Sequence, residues 1–134
     1  MSPASEPLTG RSLQASLTVK DLQKSVAWYT DVVGFTVDRR IERDGKLRSV
    51  AVSAGEVRIL LNLDDGAKGW ERVKGEGFSL NFNTAQDVDQ VARRITERGG
   101  TLETEPKDMP WGARIFRLRD PDGFRWTISA PLSG

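Results

Sequence analysis

A chain of 134 residues with 37% hydrophobic content has enough apolar material for one domain with a core of its own. Its 20 Lys and Arg face 19 Asp and Glu, a formal charge of +1 with the signs interleaved, so neither nucleic acid nor anionic membrane is expected as a partner. The absence of Cys and His removes disulfides, thiolate nucleophiles, Cys-type zinc sites, imidazole bases, Ser-His-Asp triads and His-containing metal triads.

Met1 to Arg11 is rich in Ser and Pro and holds no apolar run of signal-peptide length, and no stretch of about 18 apolar residues follows it. These features predict a loose tail over residues 1–11 and a cytoplasmic protein. From Leu13 to Val19, apolar Leu13, Ala15, Leu17 and Val19 alternate with Gln14, Ser16 and Thr18, the two-residue period of a strand with one buried face. Asp21 then stands as a helix N-cap, and Leu22, Val26, Tyr29 and Val33 recur at helical spacing until Gly34 ends the run.

Three strand-like runs follow, Phe35 to Glu42, Lys46 to Ser53 and Val57 to Leu63, separated by Asp44-Gly45 and Ala54-Gly55. Residues 64–76 are charged, Gly-bearing and without period, and predict a connection. Phe78 to Asn83 alternates again, and a second helix with Val88, Val91 and Ile95 on one side runs to Gly99-Gly100. Asp87 lies 13 residues before Gly100, the same span as Asp21 to Gly34. Strands are then expected at Thr101 to Glu105, Ala113 to Arg119 and Phe124 to Ala130, with Pro121-Asp122-Gly123 as a tight turn. The chain therefore predicts an α+β fold of two βαβββ modules over residues 12–63 and 77–131, joined by residues 64–76 into one domain.

Val19-Lys20-Asp21-Leu22, Ser25, Trp28-Tyr29 and Val33-Gly34-Phe35, with Pro110-Trp111-Gly112, Arg114, Phe116 and Asp120-Pro121-Asp122-Gly123-Phe124, carry a resemblance to a known family. The chain resembles the vicinal oxygen chelate superfamily, which groups glyoxalase I, bleomycin-resistance proteins and extradiol dioxygenases. The resemblance implies curved sheets closing around a cleft and a homodimer, with modules pairing within one chain or across two. It also implies four metal-ligand positions, usually His or Gln, Glu, His and Glu. In this sequence they fall on Gln14, near Leu60, near Ser79 or Leu80, and on Thr127, so the likeness is to the metal-free branch, with no cofactor expected. The best understood members of that branch bind bleomycin-type or other bulky aromatic antibiotics without turning them over. The expected function is metal-independent sequestration of a small aromatic or amphipathic molecule, with no catalytic residue assigned. A glyoxalase-type lyase, isomerase or dioxygenase with an irregular metal site is the alternative, and an interaction module with an empty cleft is a third.

In that fold the helices cover one side of each sheet, and the polar alternates Gln14, Ser16, Ser79, Asn81 and Thr127, with Arg58, Leu60 and Asn62, line the other. The same residues would equally serve as an ordinary solvent face. Of the four Trp, Trp28 and Trp126 are expected in packing layers, whereas Trp70 and Trp111 sit in connections and would either wall a pocket for a flat ligand or act as lids. Arg114, Arg117 and Arg119 share a strand; they would reach the cavity mouth to meet an anion, or solubilise a sheet edge. Glu42 and Glu56, at strand ends, are the only nearby acids to consider as a lone proton-transfer base.

Overall fold

Alternation and capping produce the expected elements in the expected order in a computed structural model that describes residues 7–132. Residues 1–6 of the expected tail lie outside that range. The first module comprises β1 (Ala15–Val19), α1 (Leu22–Ala27) continued by a π-helical turn (Trp28–Val33), β2 (Thr36–Arg43), β3 (Lys46–Ala54) and β4 (Val57–Leu63). The second comprises β5 (Leu80–Asn83), α2 (Val88–Glu97), β6 (Leu102–Met109), β7 (Ala113–Arg119) and β8 (Arg125–Pro131). Each module folds into a four-stranded mixed sheet, ordered β1-β4-β3-β2 and β5-β8-β7-β6, so both have one parallel pair beside an antiparallel meander.

The helix ends follow local chemistry. Asp21 accepts from Lys24 N at 3.0 Å, and Asp87 accepts from Asp89 N at 2.9 Å, each satisfying an N–H of the first turn. Gly34 closes the first helical segment in the left-handed region, at φ +112°, where its N–H bonds Tyr29 O. Gly100 has a packing role: a Cβ there would lie 2.6 Å from Ile95 Cγ2 and 2.7 Å from Val32 Cγ1, between the two helices.

One core serves both modules. Leu17, Val19, Val50, Val52, Ile59 and Leu61 from the first sheet and Phe116, Leu118, Trp126 and Ile128 from the second turn inward with Leu22, Tyr29, Phe35 and Ile95. Phe35 stands edge-on to Phe82 at 6.0 Å and to Trp126 at 5.9 Å, so aromatic packing crosses the module boundary. Trp28 packs edge-on against Tyr29 with ring centroids 4.8 Å apart, and Trp126 is buried, as expected for both.

Several boundaries differ from the sequence reading. The first strand starts at Ala15, because Leu13 projects into solvent. The fifth starts at Leu80, because the Phe78 ring turns onto Phe124, 6.0 Å away, ahead of any strand pairing. The sixth continues to Met109 through Pro106, which an edge strand tolerates at a register shift between Thr104 and Lys107. No helix among the described residues is long and apolar enough to cross a membrane.

Candidate functional site

Two-residue periodicity leaves each sheet with a face turned away from the shared core. On the first sheet Ser16 pairs with Leu60 and Thr18 with Asn62, and Asn62 in turn faces Ser49. Ser49 Oγ donates to Asn62 Oδ1 at 2.7 Å, and Asn62 Nδ2 donates to Ser16 Oγ at 2.7 Å. The amide is thereby locked in one orientation, and Ser16 Oγ, acting here as acceptor, keeps its hydrogen for another partner. On the second sheet the corresponding row is Asn81, Thr127 and Arg117, with Thr127 buried.

Where β1 and β4 begin, the first sheet meets β5 across a crevice of about 650 Å³. Gln14, Arg58, Ser79 and Asn81 line it together with Glu56, and Ile59, Phe82 and Trp126 provide an apolar wall. The crevice unites an amide pair, a hydroxyl, a guanidinium and one carboxylate over aromatic surface, a donor-rich lining suited to orienting a ligand.

The remaining expected residues lie elsewhere. Ser16, Leu60 and Thr127 occupy the outward strand faces without lining this crevice. Trp70 stands at the opposite end of the first sheet, beside Leu47 and Leu63 in a separate cleft. Trp111, 65% exposed, sits at the β6–β7 turn and borders none of these cavities.

Arg114 corrects an expectation. It faces α2, donating from Nε to Asp89 Oδ2 at 2.9 Å and from Nη1 to Asp108 Oδ1 at 2.9 Å. The same alternation that turns Phe116 inward turns Arg114 toward the helix, and β7 is an interior strand, so neither cavity-mouth nor sheet-edge duty applies. Arg119 and Arg125 both pair with Glu103.

The metal-ligand positions implied by the resemblance hold an amide at Gln14, an alkyl group at Leu60, a hydroxyl at Ser79 and another at Thr127. Leu80, the alternative to Ser79, pairs with Trp126 and packs against the shared core. Of the four, Gln14 alone offers a donor of the family's kind, and with no carboxylate, imidazole or thiolate beside it the set does not fit a divalent ion. Among the described residues no group of three or more such side chains comes together.

The sequence reading missed a buried polar network. Tyr29, the only Tyr, donates from its hydroxyl to Asp120 Oδ2 at 2.7 Å and accepts from Trp126 Nε1 at 3.0 Å. Asp120 Oδ1 also accepts from Asp122 N at 2.9 Å and Phe124 N at 2.8 Å. Burial pushes the Tyr29 hydroxyl upward in pKa, with the charge of Asp120 adding to it. Burial likewise raises the Asp120 carboxyl, against the pull of the hydrogen bonds it accepts.

Beside this network, Lys74 Nζ bridges Asp64 Oδ2 at 2.8 Å and Asp122 Oδ2 at 3.3 Å, and Asp122 Oδ2 also caps Lys20 N at 2.9 Å. The Lys74 ammonium first, then the Gly66 N–H, hold Asp64 below its ordinary 3.8, at about 2. Asp120-Pro121-Asp122-Gly123 is a turn, as expected, but both its carboxylates are structural anchors tying the connection and the first module to the second. The available signal was Tyr29 itself: an aromatic with a polar tip on the inward stripe of a helix needs a buried partner.

Residues 11–128 match the family described as the glyoxalase/bleomycin resistance protein/dioxygenase superfamily. The chain belongs to that superfamily. An uncharacterised protein, YraH of Bacillus subtilis, is 33% identical over 119 residues, covering 82% of this chain and 90% of its own. A lactoylglutathione lyase of Salmonella typhimurium is 32% identical over 121 residues, covering 86% of this chain and 88% of its own. Among solved structures, TnmS3, an antibiotic-binding protein from Streptomyces, superposes with a TM-score of 0.71 at 26% identity, covering 94% of this chain and 99% of that one. A superfamily domain from Frankia reaches a TM-score of 0.75 at 26% identity, with 96% of each chain covered. Superfamily membership and the shared fold agree with the two-module reading.

Proposed function

We propose that this superfamily member binds a small aromatic or amphipathic molecule without a metal, sequestering it instead of converting it. The observation that carries the reading is the crevice between β1, β4 and β5, where Gln14, Arg58, Ser79 and Asn81 converge beside Phe82 and Trp126. Its size lies within the range of drug-sized ligand pockets. The aromatic wall supplies apolar contact, and the amides and guanidinium supply orientation. The antibiotic-binding description of TnmS3 and the unsuitable donor set at Gln14, Leu60, Ser79 and Thr127 support the same reading. We place the protein in the cytoplasm and expect a homodimer.

The lactoylglutathione lyase relative and the carboxylate of Glu56 in the crevice favour the competing reading, a lyase of the glyoxalase type. Native mass spectrometry after incubation with bleomycin and a panel of polycyclic aromatic antibiotics separates the two. Sequestration predicts one adduct per site, lost in Arg58→Ala and Asn81→Ala, and no turnover of the methylglyoxal–glutathione adduct with zinc, nickel or manganese present. One retained divalent ion per site together with turnover of that adduct establishes the lyase instead.

A further inference from the structure

The other end of the first sheet carries a second cavity. β1 and β4 run parallel, and their C-terminal ends, with the start of β3, open onto a cleft of about 870 Å³ that shares no lining residue with the crevice near Gln14. Leu47 and Leu63 form its apolar floor, and Trp70 forms one wall. The ammonium-bearing side chains of Lys20, Lys24 and Lys46 stand at its rim.

The wall is built by specific local contacts. Gly66 sits at φ +75°, and a Cβ there would fall 2.5 Å from Trp70 Cε2 and Cζ2, so only glycine lets the indole lie against that turn. The turn is pinned in its own right, with Gly66 N donating to Asp64 Oδ1 at 2.8 Å and Lys74 and Arg72 pairing with Asp64. The ring nevertheless remains 49% exposed, bordering this cleft and a smaller one of about 190 Å³ beyond it. A positioned but half-exposed indole is a stacking surface without a partner.

The charges are equally uncommitted. Lys20, Lys24 and Lys46 are exposed, and among the described residues none of their ammonium groups forms an ion pair. Of the two acids in the cleft, Asp21 accepts the Lys24 N–H at 3.0 Å as a helix cap, leaving Glu71 on the rim. Three lysines against two acids give the cleft a net positive character.

We propose that the cleft walled by Trp70 is a second small-molecule site, taking a planar aromatic ligand that carries an anionic group. The ring of the ligand stacks on Trp70 above Leu47 and Leu63, and its anion meets the lysine rim. This site is independent of the crevice at Gln14 and of any reading of that crevice.

Anilinonaphthalene sulfonate is a suitable probe, with neutral phenylnaphthylamine as the uncharged comparison, both followed by fluorescence titration. One equivalent of the sulfonate is expected to bind in a Trp70-dependent manner, more tightly than the neutral compound and less tightly as salt rises. Trp70→Ala and Gly66→Ala each weaken binding about tenfold, the loss of one stacking wall. Lys46→Glu, at an exposed position that leaves the fold intact by circular dichroism, weakens the sulfonate several-fold and spares the neutral probe. Asn81→Ala, in the other crevice, leaves unchanged the binding that Trp70→Ala weakens. Four results would overturn the proposal: no binding by the native protein, unchanged affinity in the Trp70 and Gly66 variants, equal affinity for the neutral probe, or loss of binding in Asn81→Ala.

Discussion

The two modules share one topology and use their charges differently. In the second, Arg114 pairs with Asp89 and Asp108, and Arg119 and Arg125 pair with Glu103. Its β7–β8 turn sends Asp120 and Asp122 back to hold Tyr29, Lys20 and Lys74. In the first module the ammonium groups of Lys20, Lys24 and Lys46 form no ion pair among the described residues, although the Lys20 N–H is bonded to Asp122, and the sheet is open at both ends, to the crevice at Gln14 and the cleft at Trp70. One backbone plan thus yields an anchoring half and a presenting half. Strand pairing secures the plan, which leaves side-chain charges free to diverge.

The anchor should be the easier half to break. Asp120→Ala strips partners from the Tyr29 hydroxyl and from two backbone N–H groups, and should cost about 3 kcal/mol or more in urea denaturation. Tyr29→Phe leaves Trp126 Nε1 and one Asp120 oxygen without their partner, for about 2 kcal/mol. In both variants the modules should still unfold in one transition, because the core is shared; two separated transitions would show that the halves are independent. Gly100→Ala, which crowds Ile95 and Val32 where the helices meet, should cost about 1–3 kcal/mol.

Acid titration tests the anchor by sign. Because Asp64 is held at about 2 against an ordinary 3.8, the folded state binds fewer protons than the unfolded one between those values. Its stabilisation is complete above about 4 and disappears as pH falls toward 2. Asp89 and Glu103, lowered chiefly by hydrogen bonds from Arg114 and Arg119, act in the same direction, whereas the raised Asp120 carboxyl acts in the opposite one. Asp64→Asn should therefore flatten the acid limb of the stability curve; an unchanged slope would exclude the Lys74 pairing as its source. The smallest effect belongs to Arg114→Met, whose partly exposed ion pairs are screened by solvent. Its melting temperature should drop less than that of any variant above, and a larger drop would make Arg114 a main support of α2.

Much of the fold was legible because its signals are local. Asp21 and Asp87 cap helices where polar side chains precede apolar periodicity, and Gly34 and Gly99 end those helices in the left-handed region. The strands followed from alternation, and so did the outward direction of Ser16, Asn81 and Thr127. Errors arose where a distant partner intervenes. Phe78 abandons the strand pattern for Phe124, and Arg114 turns to a helix 25 residues away in sequence. The candidate site was half legible: alternation nominated Gln14, Arg58, Ser79 and Asn81, but it gave no means of separating them from Trp70 and Trp111.

By itself the sequence determined the two βαβββ modules, their caps and turns, and the absence of imidazole and thiol side chains. Each of these depends on residue type or on neighbours within a few positions. Tertiary structure alone decided that one core unites the modules, that Tyr29 and Asp120 meet across 91 residues, and that two cavities occupy opposite ends of one sheet. Those outcomes depend on strand order and on the packing of helices between distant segments, and periodicity along a chain carries no record of which strand will lie beside which.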